Sequence, residues 1–276
     1  MKHEEKLTLK VYSKNPEREW VRLAKSPFNR LEFDTTMRYL KEYLPKKGLI
    51  LDAGGGPGRY TIELAKMGYD VVLLDFTRAN LDLAKKKISK SGIEKKVKGI
   101  FRGSITDLSR FDDKYFDAVL CLGGPLSHVH SDSGRKKAVS ELRRVAKPGA
   151  PVFISVMGKF ATVMAAPRRW ITDFNDKKQA RGMTLEGEDY MWHGKYYAHF
   201  FTREEFAKTV ASQNLKVLEQ VGLEGLASPD PEAFSEMPKK HPKAYKHWME
   251  LHYKICTNPT VVDTSSHILI VAKREK

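Results

Sequence analysis

Between Gly48 and Val156 short apolar runs alternate with longer amphipathic stretches. The runs 49–53, 71–75, 97–101, 116–122 and 151–156 have strand length, and the stretches 60–67, 79–90 and 134–146 carry apolar side chains at helical spacing. The last of these is the clearest: Ala138, Val139, Leu142, Val145 and Ala146 share one face, and Lys147-Pro148-Gly149 stops it. Strand and helix in alternation predict a parallel sheet with crossover helices. The rhythm breaks after Val156 for about forty-five residues. It resumes at Thr202-Arg203-Glu204-Glu205, a capping box that opens a helix with Phe206 and Val210 inward. A strand over 216–221 follows. A second irregular stretch, 224–265, holds Ala244, Trp248, Leu251 and Ile255 at helical spacing, and 267–272 reads as the closing strand.

The pattern predicts one domain of the α/β class. Its ligand-binding core is 48–157, preceded by an N-terminal segment 1–47 and completed by a closing helix and strands over 201–223 and 266–276. The insertions 158–200 and 224–265, rich in Trp, Tyr, Phe, His and Met, are expected to form a helical lid over the carboxyl edge of the sheet. A chain of 276 residues, 41% hydrophobic and 30% charged, can bury a sizeable core. No run of eighteen apolar residues occurs and the start, Met1 to Lys10, is rich in charge, so neither a membrane span nor a signal peptide is expected and a cytoplasmic protein is. Cys121 and Cys256 lie far apart in the sequence and fit neither a disulfide framework nor a zinc site. The net charge of +15 invites a nucleic-acid reading, but basic pairs such as Arg143-Arg144 and Lys239-Lys240 are scattered and read as solvated helix faces, so nucleic acid is not the favoured partner.

The chemistry concentrates in Asp52-Ala53-Gly54-Gly55-Gly56-Pro57-Gly58, directly after a buried strand and before a helix. Glycines there let the backbone turn tightly and approach a ligand, and the amides of the following helix favour a negative group. A dinucleotide fingerprint starting at Gly54 would have to end on Arg59, and the Gly-Lys-Ser/Thr of a Walker loop is absent. The pattern D-x-G-x-G-x-G fits at every position. The next strand ends in Asp75, where an acid accepts hydrogen bonds from ribose hydroxyls.

These residues resemble the first motifs of the class I S-adenosylmethionine-dependent methyltransferases. The resemblance continues through Phe116-Asp117-Ala118-Val119-Leu120, the stop Leu142-Arg143-Arg144-Val145-Ala146-Lys147-Pro148-Gly149 and the closing strand, and is similar to the broad group of ubiquinone and menaquinone biosynthesis methyltransferases. It implies a Rossmann-like, doubly wound, seven-stranded sheet, mostly parallel with an antiparallel last strand, and S-adenosylmethionine as cofactor. It further implies a cofactor loop of Asp52, Gly54, Gly56 and Gly58, with Asp75 and its neighbour Phe76 at the ribose and Leu122 at the end of strand four. Ser104 stands where an acid is usual, so Ser104 and the backbone at Ile105, or alternatively Asp107, are expected to hold the adenine. Residues 20–33 are expected to fold over the cofactor, with Arg30 on the methionine carboxylate and Phe28 covering the site.

Gly124-Pro125-Leu126-Ser127-His128 is similar to a Gly-Pro-Leu-Tyr-His segment in members of unassigned substrate, with Ser127 replacing the tyrosine. His128, at the lip of the sheet, is the candidate catalytic base for a phenol, enol or thiol. His128-Val129-His130-Ser131-Asp132 also spells HxHxD, but too few converging ligands accompany it for a metal to be expected. His193, Tyr196, Tyr197 and His199 cluster in the first insertion, where packing is their default role. The segment Cys121-Leu122-Gly123-Gly124-Pro125 lacks the Pro-Pro and Pro-Cys motifs of nucleic-acid amino- and cytosine-methyltransferases. The leading expectation is methyl transfer to an O, C or S atom, less so N, of a small molecule. A methyltransferase for RNA or protein is the alternative, and a non-catalytic cofactor-binding protein the third.

Overall fold

The structure, a computed structural model, describes residues 3–189 and 197–275. Three helices open the chain: α1 (His3–Lys14), α2 (Pro16–Arg22) and α3 (Pro27–Tyr43). Proline occupies the first turn of α2 and α3, where its missing N–H costs nothing, and the side chains of Asn15 and Ser26 cap the two helices by accepting from Arg18 N (3.0 Å) and Asn29 N (3.2 Å).

The core then alternates as β1 (Leu49–Ala53), α4 (Arg59–Lys66), β2 (Asp70–Asp75), α5 (Arg78–Lys90), β3 (Val97–Arg102), β4 (Ala118–Cys121), α6 (Asp132–Val145) and β5 (Pro151–Met157). The expected strand over 116–122 is shorter: Phe116 makes only an isolated bridge to Ala146, and Leu122 already belongs to the following loop. Helix α6 begins at Asp132, before Gly134, because the Ser131 hydroxyl accepts from Gly134 N at 3.2 Å and caps it. The first insertion, far from irregular, folds as α7 (Lys159–Arg169), α8 (Lys177–Arg181) and the short pair β6 (Glu188–Asp189) and β7 (Ala198–His199). The chain continues with α9 (Arg203–Ala211), β8 (Leu215–Gly222), α10 (Pro231–Lys240), α11 (Pro242–Ile255), α12 (Pro259–Asp263) and β9 (His267–Arg274). At α9 only half of the expected capping box forms. Thr202 Oγ1 accepts from Glu205 N (3.2 Å), while the Glu205 carboxylate is taken by His199 Nε2 (2.6 Å).

Seven strands make one sheet in the order β3-β2-β1-β4-β5-β9-β8. Strands β1 to β5 run parallel, and β9 enters antiparallel between β5 and β8. Alternation along each central strand divides its side chains between two cores. Leu51, Val119, Ile154 and Ile270 pack toward α6 and α9, whereas Ile50, Leu120, Phe153 and Leu269 pack toward α3 and α4. The second insertion lies on α3, where Phe234, Tyr245 and Trp248 pack around Phe28 and Leu31. Phe153 is fully buried at the centre of the sheet. Phe153→Ala should destabilise the fold by about 3–5 kcal/mol through lost transfer energy and a residual cavity, read from the shift in urea midpoint.

Candidate functional site

The strand order reverses between β1 and β4, and a cavity of about 390 Å³ opens at the carboxyl ends of these strands and β2. Its floor comes from the loops after β1, β2, β3 and β4, and its roof from α1 and α2, through Thr8, Tyr12, Glu19 and Arg22. No described residue of either insertion lines it. Of the residues singled out in the sequence, Gly54, Gly56, Asp75, Phe76, Ser104, Ile105, Leu122 and His128 line the wall. Asp52 and Gly58 do not.

Asp52 is fully buried behind the glycine loop, and its Oδ2 accepts from Thr61 N (3.1 Å) and Thr61 Oγ1 (2.6 Å). Burial pushes its pKa up to about 6. A Cβ on Gly55 would lie 2.4 Å from Asp52 Oδ2, so this glycine is imposed by space. Gly54 has φ +78°, and a Cβ there would meet Pro125 Cγ at 2.6 Å, so the loop after β4 leans directly on the glycine turn. Gly58, also left-handed, caps α4. Asp75 Oδ2 accepts from Gly56 N (2.9 Å) and Oδ1 from Thr77 N (2.8 Å). Burial raises the Asp75 pKa against those hydrogen bonds. Beside it Asn80, 3% exposed, donates from Nδ2 to Asp75 Oδ1 at 3.4 Å, while its own Oδ1 is buried at the cavity wall with no partner among the described residues. An orphaned buried acceptor is costly unless a ligand donates to it.

After β3, Ser104 Oγ lies 2.8 Å from Thr106 Oγ1 and accepts from Thr106 N, and both side chains line the cavity. Asp107 turns outward and accepts from Ser109 N (3.1 Å), so of the two expected adenine-side candidates the wall holds Ser104. The departure at Ser127 has its own explanation: its buried hydroxyl accepts from Met157 N at 3.0 Å and pins the loop to β5. His128 Nδ1 lies 3.0 Å from the Tyr197 carbonyl, which can only accept, so Nδ1 carries the proton and Nε2 takes a hydrogen bond from the Tyr12 hydroxyl at 2.8 Å. Burial lowers the His128 pKa. No metal cluster forms from the HxHxD segment among the described residues. Cys121 is buried inside β4, and burial pushes its thiol up to about 12, leaving it unreactive.

Tyr197 is held in turn by Arg135 Nη1 (2.8 Å) and hydrogen-bonds Glu188, which pairs with His199 Nδ1 at 2.9 Å. The first insertion therefore reaches the cavity by setting the His128 tautomer. His193 and Tyr196 lie outside the described residues.

Two expectations for the upstream segment are corrected. Arg30 stands on the outer face of α3, 2.8 Å from Asp34 in the next turn, and Phe28 is buried under Phe234 and Trp248. Arg22 from α2 lines the cavity instead. Its guanidinium grips Glu32 with two hydrogen bonds, Nη1 to Oε2 at 2.5 Å and Nη2 to Oε1 at 3.1 Å. Glu32 is 3.6 Å from His267 Nδ1, which lies 2.6 Å from Glu224 Oε1, making a quartet of two cations and two carboxylates when His267 is protonated. The sequence offered no signal for Arg22, Tyr12, Thr8 or Asn80, because nothing local says which helical residues face a cavity.

The quartet has a pH signature. Burial lowers the His267 pKa, but Glu32 and Glu224 raise it by more, so it ends above 6.5. Its contribution to stability is then fully present below the unfolded value and lost as pH rises through the raised one. Glu32 runs the other way: burial raises it, Arg22 and His267 overcome this, and its contribution is lost as pH falls below 4.5. The difference in unfolding free energy between the wild type and His267→Gln should be largest between pH 4.5 and 6.5 and shrink at higher pH. Urea titrations across pH check it, and a flat difference would mean that His267 is neutral throughout.

Comparison with known proteins agrees with this geometry. Residues 50–149 match the family model described as Methyltransferase domain. The chain is 24% identical over 178 residues to YqeM of Bacillus subtilis, spanning 61% of this chain and 70% of that one. It is 31% identical over 110 residues to the ubiquinone biosynthesis O-methyltransferase of Hahella chejuensis, spanning 40% and 43%. Among solved structures, an S-adenosylmethionine-dependent methyltransferase of Methanosarcina mazei superposes with a TM-score of 0.59 at 22% identity, covering 86% of this chain and 97% of its own. Residues 50–149 thus carry a methyltransferase domain, and the chain has the class I fold of the S-adenosylmethionine-dependent enzymes.

Proposed function

We propose that the chain methylates a small-molecule acceptor, with the donor's nucleoside on the glycine-loop side of the cavity and the acceptor beneath Tyr12 and His128. The observation that carries this reading is the roof. Tyr12 of α1 reaches across to His128, so the chain itself roofs part of the opening above the site, over a cavity of about 390 Å³, in the range of small-ligand pockets. An acceptor on a polymer strand would have to reach in beside that helix.

The residues present fit the donor. The left-handed Gly54 and Gly56 bring bare backbone to the cavity, and the Asp75 carboxylate with the orphaned Asn80 Oδ1 offers acceptors to a pair of hydroxyl donors. Ser104 and the backbone at Ile105 stand where a base edge would lie, Phe76 and Leu122 supply apolar wall, and Arg22 presents a cation for a carboxylate. When bound, S-adenosylmethionine supplies a methyl group on a sulfonium centre, and much of the acceleration in such a displacement comes from alignment.

The chain's own proton chemistry lies at Tyr12 and His128. Neutral His128 holds a lone pair at Nε2 that accepts from the Tyr12 hydroxyl, so Tyr12 can take the proton of an O–H, S–H or acidic C–H methyl acceptor as its own proton passes to Nε2. The lowered His128 pKa keeps Nε2 available at neutral pH. This favours O, C or S acceptors over an already neutral amine. A ubiquinone-type acceptor is one member of the class.

In calorimetry S-adenosylhomocysteine should bind at micromolar levels, and Asp75→Ala and Asn80→Ala should each weaken binding by about 1–3 kcal/mol. Unchanged affinity in folded variants would remove both residues from the site. Mass spectrometry of metabolites and RNA from cells with and without the gene identifies the acceptor. A methyl lost from RNA alone would instead favour an RNA substrate, the reading to which the +15 charge points. With an acceptor in hand, Tyr12→Phe should lower kcat by about 10²-fold or more with donor affinity intact. Activity should fall only when pH drops through the lowered His128 value. A pH profile unmoved by His128→Gln would show that no base acts there.

A further inference from the structure

Helix α7 is amphipathic the wrong way round for a folded monomer. It buries Ala161 and Ala166 and turns its large apolar side chains outward. Phe160, Met164 and Pro167 follow one another along α7 at steps of four and three residues, the spacing of a single helical stripe, and all three are exposed, as is Ile171 just beyond the end of the helix. Leu185 joins them: Lys159 Nζ donates to the Leu185 carbonyl at 3.2 Å and lies 5.7 Å from the centre of the Phe160 ring. Trp170, also exposed, sits beside Ile171 at the end of the stripe. Ile171 and Leu185 are 59% and 62% exposed, more than any other large apolar side chain of the described residues. Packing among the described residues accounts for none of this, and large apolar side chains grouped on an exposed face mark an interaction site.

The surroundings of the stripe say what it meets. Residues 159–186 carry six basic side chains against three acidic ones. Arg181 pairs with Glu186 and Arg168 with Asp230, whereas Arg169 and Lys177 have no acidic partner among the described residues. We infer that this face of the first insertion docks on the surface of an anionic phospholipid bilayer, with Phe160, Met164, Ile171 and Leu185 at the acyl boundary, Trp170 at headgroup level and the cations on lipid phosphates. A second copy would bring +15 against +15. An RNA would gain nothing from the most exposed aliphatic side chains. No helix of the described residues is long and apolar enough to cross a membrane, so the contact is interfacial.

The inference is independent of which acceptor is methylated. Its test is flotation of the full chain with vesicles of phosphatidylcholine alone and of phosphatidylcholine mixed with phosphatidylglycerol, at low salt and at about 0.5 M salt, where charge attraction is screened. Binding to the mixed vesicles only, weakened by salt and lowered at least tenfold in Ile171→Glu/Leu185→Glu, is the expected result. Arg169→Glu/Lys177→Glu should lower it as well. The circular dichroism and S-adenosylhomocysteine affinity of both variants should match the wild type. Failure to bind mixed vesicles, or equal binding by the variants, overturns the proposal. So does a concentration-dependent dimer in sedimentation that Ile171→Glu/Leu185→Glu abolishes, since a second copy would then cover the face.

Discussion

Two buried carboxylates hold the turn on which the site is built. Asp52 fastens the start of α4 through Thr61 and leaves room behind the loop only for a glycine at position 55, while Asp75 grips Gly56 N from the neighbouring strand. Between them the backbone from Gly54 to Gly58 has little freedom, even though four of its five residues are glycine. Both acids sit where burial raises their pKa, and each is kept by hydrogen bonds that favour its charged form. The cavity floor inherits its shape from that arrangement, because Pro125 of the next loop rests against Gly54.

The roof depends on a second set of buried charges. Arg22 is the last residue of α2, Glu32 lies in α3, Glu224 follows β8 and His267 begins β9. One network thus ties the N-terminal helices to the far edge of the sheet. Breaking such a set leaves a buried charge uncompensated, which is far more costly than the set is favourable. Arg22 belongs to the network and to the cavity wall at once, so the positions of roof and sheet are coupled at a side chain that faces the cavity. On the opposite side, Arg135, Glu188, Tyr197 and His199 form a similar cluster that ends on the ring of His128.

Much of this was legible in one dimension. Residues 48–157 declared their sheet because strands buried on both faces are continuously apolar and the helices between them keep a 3.6-residue period, both local signals. Gly54, Gly56, Asp75 and Ser104 were legible for the same reason: a turn after a buried strand needs particular residues at fixed spacing. Which arginine faces the cavity was not. Arg30 and Arg22 both precede β1 in amphipathic helices, and only the packing of α3 under the second insertion turns Arg30 outward and leaves Arg22 over the cavity. Tyr12, Asn80 and the His128 tautomer were likewise decided by contacts across long sequence separations, Tyr12 and His128 being 116 residues apart. The sequence by itself determined the sheet, the glycine turn and the acid at the end of β2, because those follow from backbone periodicity and local sterics. The tertiary structure alone decided the roof, the charge networks and the outward stripe of α7, because a side chain's partner depends on which surfaces the whole fold brings together.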